Sequence, residues 1–187
     1  MAKESSAFLF MQRSIKIFII FILLILLLVL FPIDVLEVRA DRTEKLVYQQ
    51  LANIGDTFDV RWVHSVTLQP VIETYRLEAP DRIPIIQMVF DDNGPNLPAH
   101  PEYNQKWIIK DGKFIVTNYD RIFERVPVTI GAVIADHTLV YNGKSTPLKE
   151  EFRPGGYVHI GLIKDTPAQY LVKEVQLWLK KQKTRPY

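Results

Sequence analysis

The run RWVHSVTLQPVIETY, Arg61 to Tyr75, decides the fold. Two stretches rich in β-branched and aromatic residues flank the four residues Thr67 to Pro70, which predicts an antiparallel hairpin. Setting Val66 opposite Val71 pairs His64 with Glu73, Trp62 with Tyr75 and Val60 with Leu77, all on one face. Arg61, Val63, Ser65, Ile72, Thr74 and Arg76 take the other face. The first face is apolar apart from an imidazole and a carboxylate, which can share a hydrogen bond or a proton. Such a pair serves either as structural polar glue or as a ligand or partner site. A one-residue slip in register separates it.

Outward from this hairpin the chain keeps the same habit. DVLEVRA, TFDVRWVHSV, VIETYRLEA, IPIIQMVF, KFIVTNY, VPVTIGAVI, HTLVY and GYVHIGLI each read as a strand, and NGK after HTLVY is a hairpin turn signal. Eight or nine short strands without a repeat predict a mainly β fold, an antiparallel β-sandwich or partly closed barrel. One helix closes the domain over residues 166–182. Thr166 is its N-cap, Pro167 its first helical residue and Gln169 the capping-box partner. Ala168, Leu171, Val172, Val175, Trp178 and Leu179 form an apolar stripe. The stripe is expected to cover an open end or face of the sheet, with docking on a partner or a membrane as the rival reading.

The N-terminus is different in kind. Ile17 to Phe31 is unbroken apolar sequence, and as a helix Ile17 to Ile33 spans about 25 Å, close to the thickness of a bilayer core. A cleaved signal peptide and a retained anchor both fit; the anchor is favoured because the run is at the long edge for a signal peptide and Val38–Ala40, which weakly resembles a cleavage site, lies well past its end. The expected organisation is a cytoplasmic segment 1–16, a transmembrane anchor 17–33 and an extracytoplasmic β-rich domain 34–187. Lys3, Arg13 and Lys16 against Glu4 place the N-terminus inside and the domain outside a cytoplasmic membrane.

Residues 34–187 carry 20 basic and 20 acidic side chains, so this part is neutral and no basic stripe invites nucleic acid. The chain has no cysteine, which excludes disulfides, thiolate metal sites and a cysteine nucleophile. A Ser–His–acid triad from His64 and Ser65 fails, because neighbours on a strand point to opposite faces. No Gly-x-Ser-x-Gly, phosphate-binding loop or His-Glu-x-x-His occurs. Cofactors are expected to be none. A metal would require His64, Glu73, Asp91, Asp92, His100 and Glu102 to converge, and no ligand spacing supports that.

HSV at His64–Val66, then PVIETY at Pro70–Tyr75, then an apolar run into NGPNLP at Asn93–Pro98, resembles the bacterial family known as domain of unknown function 1850. The matching positions are Trp62, His64, Ser65, Val66, Val71, Glu73, Gly94, Leu97 and Pro98, within a likeness running from about Val35 to Ile163. Pro95 and Asn96 stand where that family prefers a small residue and a second glycine. The terminal helix lies outside the likeness.

Members of that family are small exported or membrane-anchored proteins, often encoded beside TAXI-type TRAP transporters. The resemblance implies a transport context and no reaction. The expected function is a membrane-anchored, non-catalytic accessory that contacts the subunits or the substrate-binding protein of a TRAP-type uptake system. The rivals are a small-anion or metal-binding module at His64 and Glu73, and a hydrolase using one of them as general base.

Overall fold

In the computed structural model the described residues are 2–91, 94–95 and 97–184, with side chains described between residues 11 and 183 of those stretches. The chain divides into two compact units, one formed by Met1–Ile33 with Asp165–Tyr187 and the other by Asp34–Lys164. The first unit holds helix α1 (Ala2–Leu30) and helix α3 (Pro167–Thr184). Met11–Leu30 is long and apolar enough to cross a membrane, a property that anchors and signal sequences share, and none of it is buried. Helix α3 starts as its sequence predicts, with a reciprocal capping box. The Thr166 amide donates to Gln169 Oε1 at 2.8 Å and the Gln169 amide donates to Thr166 Oγ1 at 3.3 Å.

The second unit is a β-sandwich. Its strands are β1 (Ile33–Ala40), β2 (Leu46–Leu51), β3 (Thr57–Val63), β4 (Pro70–Arg76), β5 (Ile83–Phe90), β6 (Lys106–Lys110), β7 (Lys113–Thr117), β8 (Ile122–Phe123), β9 (Val126–Thr129), β10 (Thr138–Tyr141), β11 (Lys144–Pro147) and β12 (Tyr157–Asp165), with a one-turn helix α2 (Leu148–Glu151) after β11. One sheet has the order β2-β1-β12-β9; the other runs β11-β10-β3-β4-β5-β7-β6, with β8 paired on β5. The two sheets do not close into a barrel. The Asp41 amide donates to Tyr157 O, and Lys164 Nζ meets Asp34 Oδ1 at 2.7 Å, so β1 and β12 run antiparallel.

Period-two patterning explains the core. Leu36, Val38, Val126, Val128, Val158, Ile160 and Leu162 from the first sheet face Phe58, Val60, Val71, Tyr75, Phe90, Val116 and Leu139 from the second, all in one buried cluster. The predicted NGK turn closes β10 and β11, with Asn142 at φ +48° and Gly143 at φ +73°. The strands beyond the expected eight or nine are mostly short or weakly apolar: β2, β6, β8 and β11. Their pairing with neighbours, rather than their own composition, makes them strands.

The β3–β4 hairpin forms, but its register differs from the expected one. Val60 lies opposite Glu73 and Trp62 opposite Val71, not opposite Leu77 and Tyr75, so the pairing is displaced by four residues. An even displacement keeps every side chain on its predicted face. What it breaks is the His64–Glu73 pair: strand β3 ends at Val63, and the connection lengthens to His64–Gln69. The His64 amide bonds Gln69 O and the Leu68 amide bonds His64 O, closing a wide turn with Leu68 at φ +58°.

The second correction concerns α3. Its apolar stripe is not buried: Leu171, Val172, Val175, Trp178 and Leu179 are exposed. Helical spacing correctly gathered these residues on one side, but periodicity carries no information about what that side meets.

Candidate functional site

Three segments converge around the β3–β4 turn. His64 stands just past the end of β3 and is only 4% exposed. Its Nδ1 lies 3.3 Å from the Val66 amide and 3.1 Å from the Thr67 amide, and its Nε2 lies 2.8 Å from Pro95 O. This network assigns the tautomer: Nδ1 accepts twice and Nε2–H donates to the carbonyl. The imidazole therefore pins its own turn to the Gly94–Pro98 loop, and neither nitrogen is open for a metal or a proton transfer. Gly94 is required by this approach, since a Cβ there would sit 2.6 Å from His64 Cε1. The Leu97 amide bonds Gly94 O at 3.1 Å, and Leu97 is buried. Having proline at position 95 leaves the pin intact, because a backbone carbonyl is the acceptor.

Glu73 lies in the middle of β4, between Val60 on β3 and Met88 on β5. The Tyr75 hydroxyl donates to Glu73 Oε2 at 2.7 Å, and the Trp62 indole N–H donates as well. Burial pushes the Glu73 carboxyl above the usual carboxylate range, against the pull of those two donors and of the Arg121 charge. Burial and the Glu73 charge also raise the Tyr75 hydroxyl.

Glu73 lines two cavities. One, of about 530 Å³, is bounded by Glu73, Leu97, Pro98, Glu102, Tyr119 and Arg121 among others. The Tyr119 hydroxyl is buried without a hydrogen-bond partner among the described residues, and burial followed by the charges of Glu73 and Glu102 raises its pKa. Arg121 lies over the Phe123 ring, 4.8 Å from its centroid. The other cavity, of about 540 Å³, is lined by Trp62, Ser65, Glu73, Thr129, Gly131 and His137 among others. His137 stacks on Trp62 with centroids 5.7 Å apart, and its Nδ1 accepts from the Gly131 amide. Desolvation lowers the His137 pKa, opposed by Ala135 O and Asp136.

The predicted residues thus divide. His64, Gly94 and Leu97 meet in the pin, while Glu73 and Pro98 line a cavity beside it. Ser65 is exposed, and His64 uses both ring nitrogens on backbone groups, so these two residues do not form a nucleophile–base pair. Asp91 pairs with Lys113 at 3.5 Å, His100 is exposed, and Asp92 lies outside the described residues. Among the described residues no group of three or more His, Asp or Glu side chains could hold a metal ion. Tyr119 and His137 went unread in the sequence as site residues. Each sits at the edge of an apolar run, where only the packing of distant segments gives it a role.

The basic side chains around one further cavity are paired with carboxylates. A third cavity of about 490 Å³ is lined by Arg39, Arg125, His159 and Lys164. Their carboxylate partners are Glu37, Glu44, Asp41 and Asp34 respectively, at 2.6–2.8 Å.

No curated protein and no solved structure matches the chain. One family model does, over Phe58 to Leu148, the stretch that holds β3, β4, the His64 pin, the Gly94–Pro98 loop, Tyr119 and His137. This central part of the chain therefore matches the family described as Domain of unknown function (DUF1850).

Proposed function

We propose that this chain is a membrane-anchored extracytoplasmic recognition module, an accessory of a TRAP-type solute uptake system that acts by contact and not by catalysis. The membrane-length α1 supports the anchor, and the family likeness supports the transport context. The observation that carries the recognition role is the cavity between Glu73 and Tyr119. It combines an acceptor of raised pKa, held by two aromatic donors, with a buried hydroxyl that lacks a partner among the described residues. Buried polar groups are normally satisfied, so an orphan facing a cavity favours an incoming polar group.

The chemistry of that group follows from the lining. Glu73, Glu102 and Asp120 stand against the single Arg121 guanidinium, which favours a hydroxyl or amine over a small anion. A free solute or a side chain of a transporter component fits this description. The test is photo-crosslinking in intact membranes with a benzophenone amino acid at Tyr103, which is 93% exposed on the rim of the cavity. Capture of a transporter subunit or substrate-binding protein is expected, reduced by Glu73→Gln and Tyr119→Phe without loss of thermal stability. Capture of no transport component overturns the accessory role, and capture indifferent to both substitutions overturns the cavity assignment.

A further inference from the structure

Helix α3 is amphipathic, and its apolar stripe is exposed. Leu171, Val172, Val175, Trp178 and Leu179 are 47–59% exposed. On the opposite side Tyr170, Lys173, Glu174 and Leu177 are half-buried, and Lys173 Nζ bonds the buried Asp165 carboxylate at 2.7 Å. A helix on the surface of a soluble domain shows the reverse order.

Three observations say what the stripe meets. Strand β12 ends beside the start of β1, where Lys164 Nζ lies 2.7 Å from Asp34 Oδ1, and β1 follows α1 after Phe31 and Pro32. Helix α3 therefore begins at the level where α1 ends. Helices α1 and α3 also belong to one compact unit and touch one another, and the apolar side chains of both are open. Finally, Lys180, Lys181 and Lys183 crowd the last turns, with Lys181 and Lys183 flanking the stripe, while Glu174 is the only acid in the helix. A polar face rich in lysine, an apolar face carrying tryptophan and a membrane-length neighbour together describe an interfacial helix.

We propose that α3 lies in the membrane–water interface beside α1, its stripe sunk to the acyl boundary and its lysines on anionic headgroups. The placement rests on the membrane-anchor reading of α1, and the experiment separates the two. The chain has no cysteine, so single-cysteine variants of the full chain can each carry one spin label. Leu24→Cys, Leu171→Cys, Val175→Cys and Gln176→Cys would be reconstituted in phosphatidylcholine–phosphatidylglycerol vesicles, and collisions with oxygen and with a water-soluble nickel chelate compared.

Oxygen collisions exceeding nickel collisions at Leu24, Leu171 and Val175, with the order reversed at Gln176, about 100° further round the helix, is the expected result. Nickel access at Val175 with Leu24 in lipid would overturn the α3 proposal alone. Shielding of Val175 from both reagents would show a protein-covered face and overturn it too. Nickel access at Leu24 would remove the anchor and with it the placement of α3.

Discussion

At the scale of single residues, His64 and Glu73, expected to act together as one pair, take separate places. The imidazole is structural, and the carboxylate lines the cavities. Removing the ring by His64→Ala strips the Val66 and Thr67 amides and Pro95 O of their partner, each loss of this kind costing about 1–3 kcal/mol when buried. Gly94→Ala drives a methyl into the ring, an overpacking worth about 1–3 kcal/mol. In the His64→Ala background the same glycine substitution should cost less, because the ring atoms it strikes are gone and only Thr67 Cγ2, 3.1 Å away, remains close. Denaturant midpoints of the two single variants and the double variant check this; additive losses would show that ring and glycine do not touch. For Glu73 the prediction concerns pH. Burial raises its folded pKa, so the native state holds a proton that the unfolded chain releases, and stability falls as pH climbs from the ordinary carboxylate range to the raised value. Glu73→Gln does not titrate, so the stability of the natural protein relative to that variant should decline as pH rises above the ordinary carboxylate range. Thermal melts across that rise test it, and a constant difference would mean that Glu73 is as well solvated folded as unfolded.

At the scale of elements, the hairpins and the terminal helix show which local signals suffice. Asn142–Gly143 sets the β10–β11 turn because both residues adopt positive φ, as two-residue turns with the right twist require. Gly143→Ala should lower stability by about 1 kcal/mol, read as a shift in urea midpoint at constant slope. The capping box at Thr166 and Gln169 was fully readable because all its atoms lie within one turn. The register of β3 and β4 was not. The stretch Val60–Val66 satisfies the alternation equally well when displaced by four, and the choice falls to His64, whose acceptor lies 31 residues on. The stripe of α3 shows the same limit. Trp178 is 59% exposed, so Trp178→Ala should change the stability of the β-unit by no more than about 0.5 kcal/mol, where a buried tryptophan would cost about 3–5 kcal/mol.

At the scale of the whole molecule, the sandwich rests on a core built from both sheets. Phe90 is fully buried, stacked on Phe114 at 5.3 Å and edge-on to Trp107 at 6.0 Å. Phe90→Ala should therefore cost about 3–5 kcal/mol in a melt in which Trp178→Ala barely registers. Mass spectrometry of membrane-extracted protein should recover peptides from the α1 segment; a mature chain beginning near Asp41 would instead identify a signal sequence. By itself the amino-acid sequence determined whatever depends on near neighbours along the chain. The two-residue period put Val60, Trp62, Glu73 and Tyr75 on one face, the unbroken run made α1 apolar, and the short strands made the fold mainly β. Only the tertiary structure decided the register, the exposure of the α3 stripe and the meeting of Glu73 with Tyr119. The physical reason is that faces are local, fixed by backbone geometry over two to four residues, whereas partners are chosen by packing between segments tens of residues apart, where many pairings satisfy the same pattern.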